Sequence, residues 1–599
     1  MKSRRSLQEW VHWLEVGAGG RWVARVALIL GVILLSLRIG YTQFHGPLTE
    51  TTLAQAVVAR QLVDGKGFTT LINYPQTVAW MKDRADRGEA KKPYQFDAEN
   101  PLPELHQAPL YPVVIAGALK VFPGKTRAAL FDTVPKPPDG FGADYVLLVL
   151  NIVLLWVAAW LTHGLARRLF DEHVAGVATL GLLLSAPVWS ATIALGGMPL
   201  LMVLTLAFFH ALVRIDEGAE AGKTSWRALA AAGVVSGLMF LADYAAGVAL
   251  LAALGWNWLR FRGRERLNAL AITAGVFLLV AGPWMIRNVV VSGNPVGLAW
   301  HGIVLKAGDP TAEPETVRTT LSAAVPAVDL DKLGNKVLTS LKKSFRDQLW
   351  AGGGLFFSAF FVTGLVYRFR DDRLNRVRWL FVATLGLLVM AQAFFDSGEG
   401  ERLPVVYATP LIVIFGAGFF AVLVASSDAL RAHARWAAVI MLAVQALPLA
   451  HDVVEPRRHW HFSYPPYYPP LFVTIRAEIV ARGGAHPSWV ADVPAGAAWY
   501  SGQRVWARPA TLRDFYGVCQ EQTQVALVLT PHTLDRPFFS ELTKRNEADG
   551  RLGDWSEVYA ALLTNRFPAG FPLSLPQKVA DNFYVLIDPL ATNTPARRQ

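Results

Sequence analysis

From about residue 144 onward the chain repeatedly runs for some twenty residues without losing its apolar character, and Lys or Arg stands at alternate ends of these runs. A helix needs about 20 mostly apolar residues to cross a bilayer, and lipid offers no hydrogen-bond partner to an open backbone. The chain therefore reads as a polytopic α-helical membrane protein. Its composition agrees, with 53% hydrophobic and 17% charged residues. The net charge of +11 then describes topology: the arginines lie in short loops between apolar runs, not beside exposed aromatics on a soluble face, so nucleic acid is excluded as a partner. A single cysteine, Cys519, excludes an internal disulfide framework and a Cys-rich metal site.

The amino terminus has a basic flank and an apolar run that ends at Arg38 without a small-residue cleavage site, so it reads as an uncleaved anchor. With that flank placed inside, the apolar blocks 22–41, 145–165, 174–195, 200–213, 228–241, 245–259, 269–286, 350–367, 379–395, 404–424 and 436–449 alternate in direction, giving about eleven spans. Every short Arg-rich loop, including "RFRGRER" at 260–266 and "RFRDDRLNRVR" at 368–378, then falls on the inner side, as the positive-inside rule demands. The expected organisation is a membrane domain over residues 1–450, with a first outer loop at 42–144 and a second at 289–348. A small extracytoplasmic α/β domain follows over 451–599, where short apolar runs such as "SWVADV" and "VALVLTP" alternate with helix-like segments. The expected location is the plasma (inner) membrane, with the amino terminus cytoplasmic. The linker "HWHFSYPPYYPP" at 459–470 reads as an aromatic belt with a stiff proline spacer, or else as a surface for stacking a sugar ring.

Residues able to carry chemistry gather on the outer side. Glu50 opens a helix directly after the first span and continues its apolar stripe of Leu53, Ala54, Val57, Val58 and Leu62, where a carboxylate is costly and usually functional. Its place in the first turn is equally explained by the helix dipole. His106 stands before an apolar helix too short to span, where it binds an anion, shuttles a proton or simply faces the interface. Lys342 and Lys343 belong to "KVLTSLKKSFRDQL" at 336–349, a basic amphipathic helix suited to an anionic lipid head or to plain surface anchoring. Asp243 with Tyr244, and Glu399, Glu401 and Arg402, mark two further outer helix ends, and Arg38 snorkels to the headgroups or faces the same cavity. Arg287 and Asn288 end an apolar helix just before a Gly-Asn-Pro turn. Carboxylates and cations on one side of a bundle are what a reaction on a lipid-linked phosphate needs: a base for the acceptor and positive charge for the leaving group. The sequence contains no P-loop lysine motif, no HExxH and no GxSxG.

Four segments, in order, resemble a known family. An acid after the first span leads to "ARQLVDGKGF" at 59–68; then come "APLYP" at 108–112, "GPWMIRNVVVSGNPV" at 282–296 and "ERLPVVYATP" at 401–410. In these the membrane part resembles the GT-C membrane glycosyltransferases of the protein O-mannosyltransferase and lipid A aminoarabinose transferase superfamily. The resemblance implies a polyprenyl-phosphate sugar donor, transfer to an extracytoplasmic acceptor and inversion at the anomeric carbon. Carried onto this chain, Glu50 becomes the base or acceptor-positioning acid, and Arg287 and Arg402 hold the phosphate. His106, Asp243, Lys342 and Lys343 are further candidates for substrate contact. The chain departs from the pattern in two places: "IALGGMPLL" at 193–201 carries no second acid, and Asp243-Tyr244 stands where many members have Thr-Arg. These departures leave a divalent metal cofactor open, and no residue is assigned as a metal ligand. The expected function is a membrane glycosyltransferase; the rivals are a transporter or lipid-binding envelope protein without catalysis, and a structural partner in envelope assembly.

Overall fold

A computed structural model describes residues 18–89, 101–131, 141–304, 316–325, 327–395, 403–455, 472–473, 475–477, 479–480, 488–534, 555–580 and 582–589. Helix α1 (Ala18–Thr42) leads to α2 (Glu50–Val63), α3 (Pro75–Asp86) and α4 (Leu110–Lys120), which with strands β1 (Thr69–Thr70), β2 (Ile72–Asn73) and β3 (Leu102–Pro103) build the first outer loop. The bundle continues as α5 (Gly142–Leu169), α6 (Glu172–Leu183), α7 (Ala186–Ile193), α8 (Met198–Glu220), α9 (Trp226–Ala242), α10 (Ala249–Arg260) and α11 (Gly263–Ser292). Beyond the second outer loop, α12 (Leu330–Lys342) runs through a π-helical turn into α13 (Leu349–Val366), followed by α14 (Asp372–Phe395), α15 (Thr409–Ser426) and α16 (Ala434–Val454).

All eleven apolar blocks are largely helical, but among the described residues six helices (α5, α8, α11, α14, α15 and α16) are long and apolar enough to cross a membrane by themselves, or up to eight spans if each of two bent pairs counts as one. The difference from the expected count has a physical source: several blocks are interrupted. Ser185 and Pro187 break the chain between α6 and α7, which meet at 53°. Asp243 stops α9 and caps a 3-10 turn, Tyr244–Val248, by accepting from the Ala245 N–H at 3.0 Å. A four-residue helix, Pro404–Tyr407, precedes α15.

Ion pairs and aromatics mark one end of the bundle. Asp216 near the end of α8 is fully buried and pairs with Arg260 at 2.6 Å and Arg376 at 3.1 Å. Its neighbour Glu217 pairs with Arg168, and with Arg373 at 3.2 Å. Four arginines from three of the predicted inner loops thus close on one acidic helix end, so these three loops share a side. The exposed tryptophans Trp22, Trp226, Trp258, Trp379 and Trp436 lie at the same ends of their helices, where an amphipathic ring suits the headgroup layer. The opposite end, here called outer, carries α2 and a sheet.

That sheet has six strands in the order β2-β5-β4-β6-β8-β7, with β4 (Trp489–Ala491), β5 (Val505–Ala507), β6 (Ala526–Leu529), β7 (Leu575–Ala580) and β8 (Phe583–Ile587). Strands β2, β5, β4 and β6 are parallel, and α17 (Pro494–Ser501) and α18 (Leu512–Glu521) provide the crossovers. The unbroken apolar runs of β4, β5 and β6 follow from burial on both faces, whereas β7, at the edge, is half exposed and tolerates Pro576. The other edge strand, β2, belongs to the first outer loop. The sheet is therefore shared between the two ends of the chain.

Candidate active site

The interruptions of the bundle meet at one place. A cavity of 530 Å³ opens beneath α2 at the outer end, lined by Ala186 and Pro187 from the α6/α7 break, Asp243 from the α9 break, Leu403 and Val406 beside the Pro404–Tyr407 turn, Ala351 at the start of α13 and Pro448 inside α16. Non-helical backbone at membrane depth survives only where protein buries it or where it borders a cavity. The turn between α7 and α8 also reaches it, through Gly196 and Gly197 beside Leu195, which holds a left-handed φ of 62°. Much of the wall is small and apolar, and among the described residues its polar groups are Thr49, Thr51, Thr52, Gln55, Ser190 and one carboxylate, Asp243.

Of the residues singled out from sequence, Asp243 lines this cavity. Glu50 does not, although Thr49 and Thr51 on either side of it do. Its carboxylate accepts from the Ala495 N–H at 2.7 Å and the Gly496 N–H at 3.2 Å, at the amino terminus of α17. A helix amino terminus following a parallel strand is a standing anion site, and in this fold Glu50 occupies it. Arg60, ten residues further along α2, donates to the Trp499 carbonyl at 3.0 Å near the other end of α17. Gly502, which ends α17 with φ 67°, lies against that guanidinium so closely that an added Cβ would meet it at 2.7 Å. Acid on the positive end and base on the negative end lock two side-by-side helices together. Asp144 completes the clamp from the first turn of α5, accepting from Trp499 Nε1 at 2.8 Å and from the Tyr500 hydroxyl at 2.9 Å. Every residue of α17 is buried. Sequence reasoning passed over Arg60 and Asp144; an acid inside the first turn of an apolar span was the available signal for the second.

Arg287 is also committed elsewhere. It donates to the Glu104 carbonyl at 2.8 Å, to Asn288 Oδ1 at 2.9 Å and to the Phe68 carbonyl at 3.4 Å, with its guanidinium 4.8 Å from the Trp284 ring and 5.7 Å from the Phe68 ring. The Gly-Asn-Pro turn does what its residues suggest: Gly293 ends α11 at φ 83°, and Asn294 Oδ1 accepts from the Val296 N–H at 3.0 Å. A chain of hydrogen bonds joins Arg287 to the cavity wall. Asn288 donates to the Tyr244 hydroxyl at 3.3 Å, that hydroxyl to the Gln107 carbonyl at 3.3 Å, and Gln55 Nε2 to Gln107 Oε1 at 3.4 Å.

His106 is buried behind this network, its Nε2 3.0 Å from the Thr77 hydroxyl. Burial, then the nearby Arg318 and His301, hold it well below the usual histidine range. His301 pairs with Gln76 at 3.1 Å, and burial followed by Arg318 brings it down to about 4. Glu104 is pushed up by burial, against the pull of the His106 and Gln107 N–H groups. The two histidines are thus held neutral within packed loops. Lys342 and Lys343 are exposed at the end of α12, outside the cavity wall, whereas Lys336 on the same helix is buried and donates to the carbonyls of Gly302 at 2.6 Å and Phe394 at 2.9 Å. Arg38 donates to the Val453 carbonyl at 3.2 Å, tying α1 to α16. Glu399, Glu401, Arg402 and the 459–470 linker lie outside the described residues. Among the described residues no group of three His, Cys, Asp or Glu side chains could hold a metal ion.

No protein-family model matches the chain, and no curated protein matches it by sequence. Solved structures do match in fold. ArnT from Cupriavidus metallidurans bound to undecaprenyl phosphate aligns over 97% of this chain and 100% of its own, at 15% identity and a TM-score of 0.51. The Archaeoglobus fulgidus oligosaccharyltransferase, in complex with zinc and sulfate, aligns over 87% of this chain and 70% of its own, at 11% identity and a TM-score of 0.51. The same archaeal enzyme with an inhibitory peptide and dolichol phosphate aligns over 85% and 70%, at 10% identity and a TM-score of 0.50. The chain has the fold of the GT-C membrane glycosyltransferases.

Proposed function

We propose that the protein is a glycosyltransferase that moves a sugar from a polyprenyl-phosphate donor to an extracytoplasmic acceptor, in the plasma membrane, with its amino terminus in the cytoplasm. The observation that carries this reading is the convergence of the helix breaks on one outer cavity that has apolar, small-residue walls and a single carboxylate among its described lining residues. The apolar wall suits an isoprenoid chain lying among the spans; the threonines, Gln55 and Ser190 suit the hydroxyls of a sugar. Solved proteins of the same fold bind undecaprenyl phosphate and dolichol phosphate, which supports the donor class.

In this reading Asp243 is the base. Its carboxylate takes the proton of the acceptor hydroxyl as that oxygen bonds to the anomeric carbon from the face opposite the phosphate, and polyprenyl phosphate leaves with the bonding pair. The configuration inverts. Arg402, next in sequence to the lining residue Leu403, binds the donor phosphate, and the Arg287 network stiffens the wall that holds Gln55. Glu50 acts one step back, by fixing α2 over the cavity. The assay is transfer by the purified protein in nanodiscs supplied with polyprenyl-phosphate sugars. Asp243→Asn should lower kcat by about 10²- to 10⁴-fold, the range for removing a general base, with little change in KM for the donor. Full activity of that variant would overturn the assignment.

A further inference from the structure

The second outer loop contains a helix whose exposed face the cavity does not use. Helix α12, with its π-helical continuation as far as Ala351, crosses the outer end of α14, where Lys336 donates to the Phe394 carbonyl at 2.9 Å, and the chain then bends by 117° into the main part of α13, Gly354–Val366. A helix at that angle to a span lies closer to the membrane plane than to its normal. Around its axis three strips separate. Lys336, Ser344 and Gln348 are buried against the protein. Leu330, Leu338 and Phe345 form an exposed apolar strip beside them, with Leu330 79% accessible. Lys342, Lys343 and Arg346 border that strip on its far side, opposed by one nearby acid, Asp347.

We propose that α12 is an interfacial helix that binds anionic phospholipid, with Leu330, Leu338 and Phe345 entering the acyl boundary and Lys342, Lys343 and Arg346 meeting lipid phosphates. The order of the strips, protein contact, then apolar, then cationic, is the arrangement that puts an apolar face into lipid and keeps charge at the headgroups. Ala351, just before the bend, lines the cavity, so the bound lipids flank its mouth. The experiment uses the full chain in nanodiscs of phosphatidylcholine with or without phosphatidylglycerol, in a Cys519→Ser background, with nitroxide labels at Leu338→Cys, Phe345→Cys and, exposed on the cationic flank of the helix, Thr339→Cys. Labels at 338 and 345 should collide with lipid-soluble oxygen and be shielded from an aqueous nickel chelate, while 339 shows the reverse. Phosphatidylglycerol should draw the 345 label deeper, and a Lys342→Gln, Lys343→Gln, Arg346→Gln variant should abolish that shift. If 338 and 345 are as open to the chelate as 339, the face is free or meets a protein and the proposal fails. Equal depths in both lipids would overturn its anionic part.

Discussion

At the scale of single residues, the most informative side chain is Glu50. Its carboxylate is an anion at a helix amino terminus, receiving two N–H groups across 445 and 446 residues of sequence. A charged acceptor of this kind contributes about 1.5–3 kcal/mol per hydrogen bond where solvent is excluded, and less for Glu50, which is partly accessible. Glu50→Gln is therefore expected to lower thermal stability and to speed amide exchange at Ala495 and Gly496. Asp243→Asn, which touches neither amide, should leave that exchange unchanged. The contrast separates a positioning acid from a base. It also explains why the sequence reading of Glu50 stayed open: an acid in a first turn looks the same whether the positive pole it serves is its own helix or another one brought alongside by folding. Asp243 was legible as a charged residue between spans, but its place on the cavity depended on breaks in four neighbouring elements.

At the scale of elements, the loops behind the cavity store buried histidines. His106 from the stretch before α4 and His301 from the second outer loop both bind side chains of α3, through Thr77 and Gln76. His301 is held at about 4 and His106 is lowered as well, so the folded state takes up fewer protons than an unfolded chain, whose histidines titrate near 6.5. A depressed histidine contributes stability that is complete above about 6.5 and is lost as the pH falls toward 4. Melting temperature should accordingly drop between about pH 6.5 and 4, and His301→Gln should flatten that slope. An unchanged slope would place the acid sensitivity elsewhere. Periodicity located α2 and the helix containing Leu110–Lys120 but could not pair them with α3, because contact between loops is not written in either loop alone.

At the scale of the whole molecule, the inner ends of α5, α8, α10 and α14 are held by the buried Asp216 and its neighbour Glu217 with four arginines. Removing one partner of a fully buried pair costs about 3–5 kcal/mol; here the cost is smaller, because Arg260 and Arg376 are partly exposed and Arg376 keeps Glu220. Asp216→Ala should thus reduce the folded yield in detergent, while Arg167→Ala, at an exposed pair with Glu172, should have little effect. The outer end is held differently, by α17 seated between α2 and α5 and by β2 joining the sheet of the distant carboxyl-terminal segment.

Much of this architecture follows from the sequence by itself. Runs of apolar residues with arginines at alternate ends determine helices and their sidedness, because lipid admits nothing else and charge stays at the interfaces. The parallel strands β4 and β6 likewise announce themselves in the apolar runs "SWVADV" and "VALVLTP", whereas β2, Ile72–Asn73, does not. Tertiary structure alone decided which acid faces the cavity. Glu50 and Asp243 are both acids at outer helix ends, and local chemistry treats them alike; a helix amino terminus from the far end of the chain claims the first, and the meeting of broken spans leaves the second lining open space.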